Sequence, residues 1–109
     1  MNKLITVAVI DSGIYPHIDF KNRIIAFKDF VNGRKNAYDD CGHGTHVSGI
    51  IAGSGYASHG RIKGICPAAC LAGIKVLDRL GNGRIENVLD AAGWIISHQK
   101  DLNIRVVNI

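Results

Sequence analysis

The densest group of chemically able side chains is Asp39-Asp40-Cys41-Gly42-His43-Gly44-Thr45-His46-Val47-Ser48-Gly49. Imidazoles, carboxylates and a thiol stand together there, and an apolar run, Ile50-Ile51-Ala52, follows at once. That order predicts a loop turning into a buried helix, from Gly42 to Ala52, closed near Gly53 to Gly55. Loops on a rigid scaffold are where reactive groups are aimed, and a helix start leaves backbone N–H groups unpaired.

The residues alone leave three chemistries open. His43 and His46 would share a helix face, with Asp39, Asp40 and Cys41 close enough in sequence to complete a tetrahedral zinc site. Their spacing is not the metallopeptidase one, which sets two histidines four apart around a glutamate. Alternatively, both imidazoles satisfy local hydrogen bonds at a helix start. The third reading is a general base, for which imidazole is suited near neutral pH. Such a base needs a carboxylate on one ring nitrogen and a nucleophile on the other. Asp11 can be the carboxylate. Ser12, Ser48, Ser54 and Ser58 lack the context of a nucleophile, and Cys41 is too near His43 in sequence to be aimed at it.

The elements that must position these groups follow from patterning. Leu4 to Ile10 is an almost unbroken, β-branched apolar run, which predicts a strand buried on both faces. It ends at Asp11-Ser12-Gly13, and the C-terminal edge of a parallel sheet is where open α/β folds place their sites. Pro16 to Phe20 reads as a turn or short helical segment, and Arg23 to Phe27 as a second strand. Asp29 to Asp40 is polar and irregular, and Tyr56 to Lys63 is a surface loop. Cys70 to Leu77 is the third strand, followed by a turn at Leu80-Gly81-Asn82-Gly83. A helix is expected over Arg84 to Gln99, burying a stripe of Ile85, Val88, Leu89, Ala92, Ile95 and Ile96. Arg105 to Ile109 is the fourth strand, an apolar edge that needs covering. The expectation is therefore a piece of a longer chain, or a chain that pairs with another copy.

A length of 109 residues suits one small domain. The formal charge of +4 is spread along the chain with no interleaved aromatic platforms, so a nucleic-acid partner is not expected. Leu4 to Ile10 is too short for a membrane span or a signal peptide, and no membrane partner is expected. The cysteines Cys41, Cys66 and Cys70 are odd in number, which favours a reducing, cytoplasmic setting; secretion stays open if the natural start lies elsewhere.

Val7-Ala8-Val9-Ile10-Asp11-Ser12-Gly13-Ile14 resembles the aspartate motif of the subtilisin-like serine peptidases, and Gly42-His43-Gly44-Thr45-His46-Val47-Ser48-Gly49 resembles their histidine motif. Gly64-Ile65-Cys66-Pro67-Ala68-Ala69, followed by Ile74-Lys75-Val76-Leu77, is similar to the segment that leads into their substrate-binding strand. The likeness runs from Leu4 to Ile109, with both motifs in order.

The resemblance implies a three-layer αβα fold with an open parallel sheet in strand order 2-3-1-4, truncated after the fourth strand. Residues 1–109 would be the N-terminal portion of a single catalytic domain, with the nucleophile-bearing portion outside it. It implies an endopeptidase acting through an acyl-enzyme, with Asp11 the triad aspartate, His43 the general base and His46 structural. Leu77 and Val88 would line an apolar substrate pocket, and Gly81-Asn82-Gly83 would pair with an extended polypeptide substrate. Cys41 stands two residues before the base, as in a thiol-containing branch, and is expected to be a free thiol beside the cleft. The nucleophilic serine and the oxyanion asparagine of the family are absent from these residues, Asn108 not being the latter. The chain alone is therefore expected to be inactive, with the remainder of the catalytic domain as its partner, or self-association through the edge at Val106 to Ile109. No cofactor and no zinc are expected. Asp19 aligns with a calcium ligand of some members, but the Tyr56 to Lys63 loop lacks their pattern, which leaves calcium open only for the longer parent. The alternative is a non-catalytic α/β module that binds peptide or assembles with a partner, or a family member that has lost activity.

Overall fold

The computed structural model describes residues 4–109. Four parallel strands form one sheet in the order β2-β3-β1-β4. They are β1 (Thr6–Asp11), β2 (Ile24–Asp29), β3 (Cys70–Lys75) and β4 (Ile104–Asn108). Two helices, α1 (His43–Ala52) and α2 (Ile85–Leu102), cover opposite faces. Short 3-10 turns at Ile18–Phe20 and Tyr56–Ser58 complete the elements.

The three layers follow from the pleat. Side chains alternate along a strand, so β1 sends Val7 and Val9 to one side and Ala8 and Ile10 to the other. Val7 and Val9 join Leu71, Ile14, Phe20 and Ala52 on the α1 side. Ala8 and Ile10 join Ala72, Ile74, Ala91 and Ile95 on the α2 side. All six residues of β1 are buried, as expected of a strand covered on both faces. Leu4 and Ile5 are exposed, so the strand begins at Thr6 and runs on through Asp11, the residue expected just beyond its end.

α2 departs from the expected stripe. Val88, Ala91, Trp94, Ile95 and Leu102 face the sheet. Ile85, Leu89 and Ile96 point away and are 67%, 66% and 79% exposed, and Ala92 is exposed beside them. The helix carries two apolar stripes, and a hydrophobic count cannot tell which one meets the sheet. It also runs three residues beyond Gln99. Its cap is Asn103 in the left-handed region (φ 53°), whose N–H returns to Gln99 O and Lys100 O. Thr6 N then donates to Asn103 O at 3.0 Å, joining the helix end to the start of β1.

Candidate active site

The strand pairing places Asp11, the last residue of β1, directly opposite Lys75, the last residue of β3. The Asp11 carbonyl accepts Val76 N at 2.9 Å and Leu77 N at 3.2 Å, which anchors the chain as it leaves β3. The Asp11 carboxylate therefore projects from a rigid edge. Its Oδ1 accepts the N–H of Ser12 at 2.6 Å.

His43 is brought to it by the loop before α1. That loop is shaped by one side chain, Asp39. Oδ1 of Asp39 accepts Cys41 N (3.1 Å), Gly42 N (2.8 Å) and the Ser12 hydroxyl (2.8 Å). Its Oδ2 accepts Thr45 N (2.9 Å) and the Thr45 hydroxyl. Asp39 thus supplies the helix-start acceptor that Gly42, in the left-handed region at φ 100°, cannot. Burial pushes the Asp39 carboxyl up, but the Thr45 hydroxyl, the Gly42 and Thr45 N–H groups and the Ser12 hydroxyl outweigh it and hold the group below its usual range. Ser12 Oγ also accepts Gly44 N at 2.9 Å, so the aspartate loop and the helix start are sewn together at a single hydroxyl.

The result is a facing pair. His43 Nδ1 lies 2.9 Å from Asp11 Oδ2 and 3.0 Å from Oδ1. The Asp11 side chain is 9% exposed, whereas that of His43 is 64% exposed. A carboxylate on Nδ1 fixes the tautomer with the proton there and leaves Nε2 as the acceptor. Among the described residues, Nε2 has no hydrogen-bond partner. His46, the second imidazole of the motif, is exposed and makes no bond to Asp11.

Of the other predicted residues, Leu77, Gly81, Asn82, Gly83 and Val88 follow β3, and Cys41 precedes His43. Leu77 and Gly83 form an isolated antiparallel bridge, with Gly81 and Asn82 in the turn between them. Asp78 builds this turn: its carboxylate accepts Leu80 N and Asn82 N, and its N–H donates to Asn82 O. Leu77 and Val88 are half-buried against the same apolar cluster beneath α2. Cys41 is an exposed free thiol, and Cys66 and Cys70 are also unpaired.

Asp19 fastens its segment to the loop that follows α1. Asp19 Oδ1 accepts Ala57 N at 2.8 Å, and its carbonyl accepts Ser54 N and the Arg23 guanidinium. The Gly55 carbonyl is likewise engaged by Ser58 N and Gly60 N. Among the described residues no group of three His, Cys, Asp or Glu side chains could share a metal ion, His43 and His46 included. No helix there is long and apolar enough to cross a membrane.

Sequence reasoning did not find two of the site's supports, Asp39 as a hub and Lys75 as a buried ammonium. Lys75 carried a signal. It is a single charge in the apolar run Leu71 to Leu77, and lysine is rarely buried without partners.

The family model described as Subtilase matches residues 2–109. The chain is 46% identical over 99 residues to serine protease AprX of Bacillus subtilis (strain 168), covering 91% of this chain and 22% of that protein. It is 39% identical over 106 residues to the major intracellular serine protease of the same organism, covering 92% of this chain and 33% of that protein. A crystal structure of a cold adapted subtilisin-like serine proteinase superposes with a TM-score of 0.74 at 33% identity, covering 85% of this chain and 32% of that one. The chain thus spans about a fifth to a third of the length of these relatives.

Proposed function

The chain belongs to the subtilase family, and from that premise we propose that it is the triad-bearing N-terminal portion of a serine endopeptidase. The observation that carries the proposal is the Asp11–His43 pair, with Nδ1 at 2.9 and 3.0 Å from the two carboxylate oxygens and the other ring nitrogen open. In the proposed reaction a serine hydroxyl from a further segment of the parent attacks the scissile carbonyl. His43 Nε2 takes its proton and returns it to the leaving amine. Asp11 keeps the imidazole in register and stabilises it while charged. A donor from that further segment holds the oxyanion.

The turn at Gly81-Asn82-Gly83 is the proposed edge for an extended polypeptide, a form of β-strand addition, with Leu77 and Val88 beneath it as apolar lining. The apolar edge at Val106, Val107 and Ile109 is the proposed seat of the rest of the catalytic domain, with a second copy of the chain as its competitor. Three free thiols suit a reducing compartment, which fractionation of the producing cells checks.

The test is peptide hydrolysis by the full-length protein, paired with covalent labelling by a fluorophosphonate that reacts only with an activated serine. Cleavage and labelling that both disappear in His43→Ala support the reading. Peptide binding without either reaction favours the non-catalytic module.

A further inference from the structure

We propose that Lys75 is a positioning residue for the Asp11–His43 pair, its buried ammonium fastening three segments of the site to one point. This rests on the peptidase reading above. Lys75 has no exposed surface and is the largest of the fully buried side chains. Its Nζ donates to Ser12 O at 2.7 Å, to Asp40 Oδ1 at 2.6 Å and to Leu77 O at 2.8 Å. All three partners are acceptors only, and they match the three N–H donors of an ammonium. The Tyr38 ring stands on another side, its centroid 5.2 Å from Nζ, within cation–π range.

Each acceptor belongs to a different working segment. Ser12 follows Asp11 and donates its own N–H to the Asp11 carboxylate. Asp40 lies in the loop that delivers His43, between the Asp39 hub and Cys41. Leu77 is the residue bridged to Gly83. The aspartate, the histidine loop and the proposed substrate edge therefore meet at one tetrahedral nitrogen. Burying an ammonium is costly before its partners offset it, and a methionine would fill the same space without that cost. What an aliphatic side chain cannot supply is the common anchor. Small misplacements of reacting groups are expensive in rate, so cutting the anchor should show in turnover ahead of substrate affinity.

The experiment uses the full-length protein as wild type, Lys75→Met, Asp40→Ala and the double variant. Active sites are counted by fluorophosphonate labelling, and kcat and KM are measured per labelled site. The expected result is a fall in kcat of about tenfold or more in Lys75→Met, with KM within about threefold of wild type. Asp40→Ala should lower kcat in the same sense by less, and the double variant should be no worse than Lys75→Met. A folded Lys75→Met protein with wild-type kcat per site overturns the proposal, as do additive effects in the double variant. If Lys75→Met does not fold, Asp40→Ala decides, and an unchanged kcat there is fatal. A wild type that neither cleaves nor takes the label refutes the peptidase reading instead. The His43 ring resonances then decide the positioning role: displaced in Asp40→Ala they support it, and unmoved they overturn it.

Discussion

Gly44 approaches Gly13 so closely that a Cβ added to Gly44 would lie 2.1 Å from the Gly13 carbonyl oxygen. Gly13 is itself confined, with φ at 120° and the Tyr38 carbonyl 2.1 Å from where its own Cβ would stand. These two glycines let the start of α1 press onto the aspartate loop, and that contact is what sets His43 against Asp11. Gly44→Ala should push the helix start away. The expected result is a destabilisation of about 1–3 kcal/mol together with a longer Nδ1–carboxylate distance. Denaturant unfolding gives the first and a crystal structure of the variant gives the second. An unchanged distance would mean that the loop has slack absent from this structure.

Asp39 concentrates the order of the histidine loop in one side chain. Asp39→Ala would strand the Cys41, Gly42 and Thr45 N–H groups and the Ser12 and Thr45 hydroxyls. A loss of about 2 kcal/mol or more is expected, because hydrogen bonds to a charged acceptor are at the strong end of the range. Thermal unfolding of Asp39→Ala beside wild type measures it.

The same carboxylate makes stability depend on acid. Asp39 and Asp29 are both held below the ordinary value of 3.8. For Asp29, burial pushes upward, and the Tyr38 hydroxyl with the N–H groups of Asn32, Val31 and Arg34 outweighs it. The folded protein thus takes up these protons at lower pH than the unfolded chain does. Their stabilisation is complete above 3.8 and drains away as pH falls through the lower folded values. Unfolding free energy should therefore drop on acidification through that window, and Asp39→Asn should flatten part of the drop. An equal acid slope in Asp39→Asn and wild type would assign the acid lability elsewhere.

The sequence made some of this legible and concealed the rest for definite reasons. The unbroken apolar run before Asp11 and the polar-to-apolar switch after His43 announce a strand end and a helix start, and the motif resemblance joins them into a pair. The strand order came from that resemblance, since periodicity gives elements but not their neighbours. Lys75 and Asp39 were hidden because each adds to its local bonds a partner far away in sequence. Ser12 is 63 residues from Lys75 and 27 from Asp39, and only folding brings them together. On α2 the difficulty was ambiguity: Ile85, Leu89 and Ile96 make as good a stripe as Val88, Ala91 and Ile95, yet the sheet takes the second.

Cys41 is exposed in the loop that delivers His43, and its N–H is bound by Asp39. A bulky mercurial on its sulfur should disturb the loop and suppress hydrolysis by the full-length protein. Cys41→Ser should keep turnover and lose that sensitivity. Peptide cleavage with and without the reagent is the measurement. A folded but inactive Cys41→Ser protein would show that the thiol takes part in the chemistry.

The surfaces left open are apolar in a way that calls for cover. Val106 and Val107 of β4 are 48% and 44% exposed, and Ile109 is 84% exposed. With Ile5, Ile51 and Ile65 they line a depression of about 420 Å³ beside the free edge of the sheet. Across the molecule, Ile85, Leu89 and Ile96 leave the outer face of α2 equally bare. Each large apolar side chain left in water forgoes about 1.5–3 kcal/mol relative to burial, a sizeable share of the roughly 5 kcal/mol that holds a marginal domain together. The chain of 109 residues on its own should therefore associate or unfold readily. Supplying the rest of the parent as a separate polypeptide should raise its unfolding temperature and generate peptidase activity that neither piece has alone. Val107→Lys should weaken that complementation, because it sets a charge on the β4 edge. Sedimentation across a concentration series, followed by mixing with the second piece, tests both statements. A monomer that unfolds cooperatively at every concentration and gains nothing from the second piece would establish the chain as a self-sufficient module.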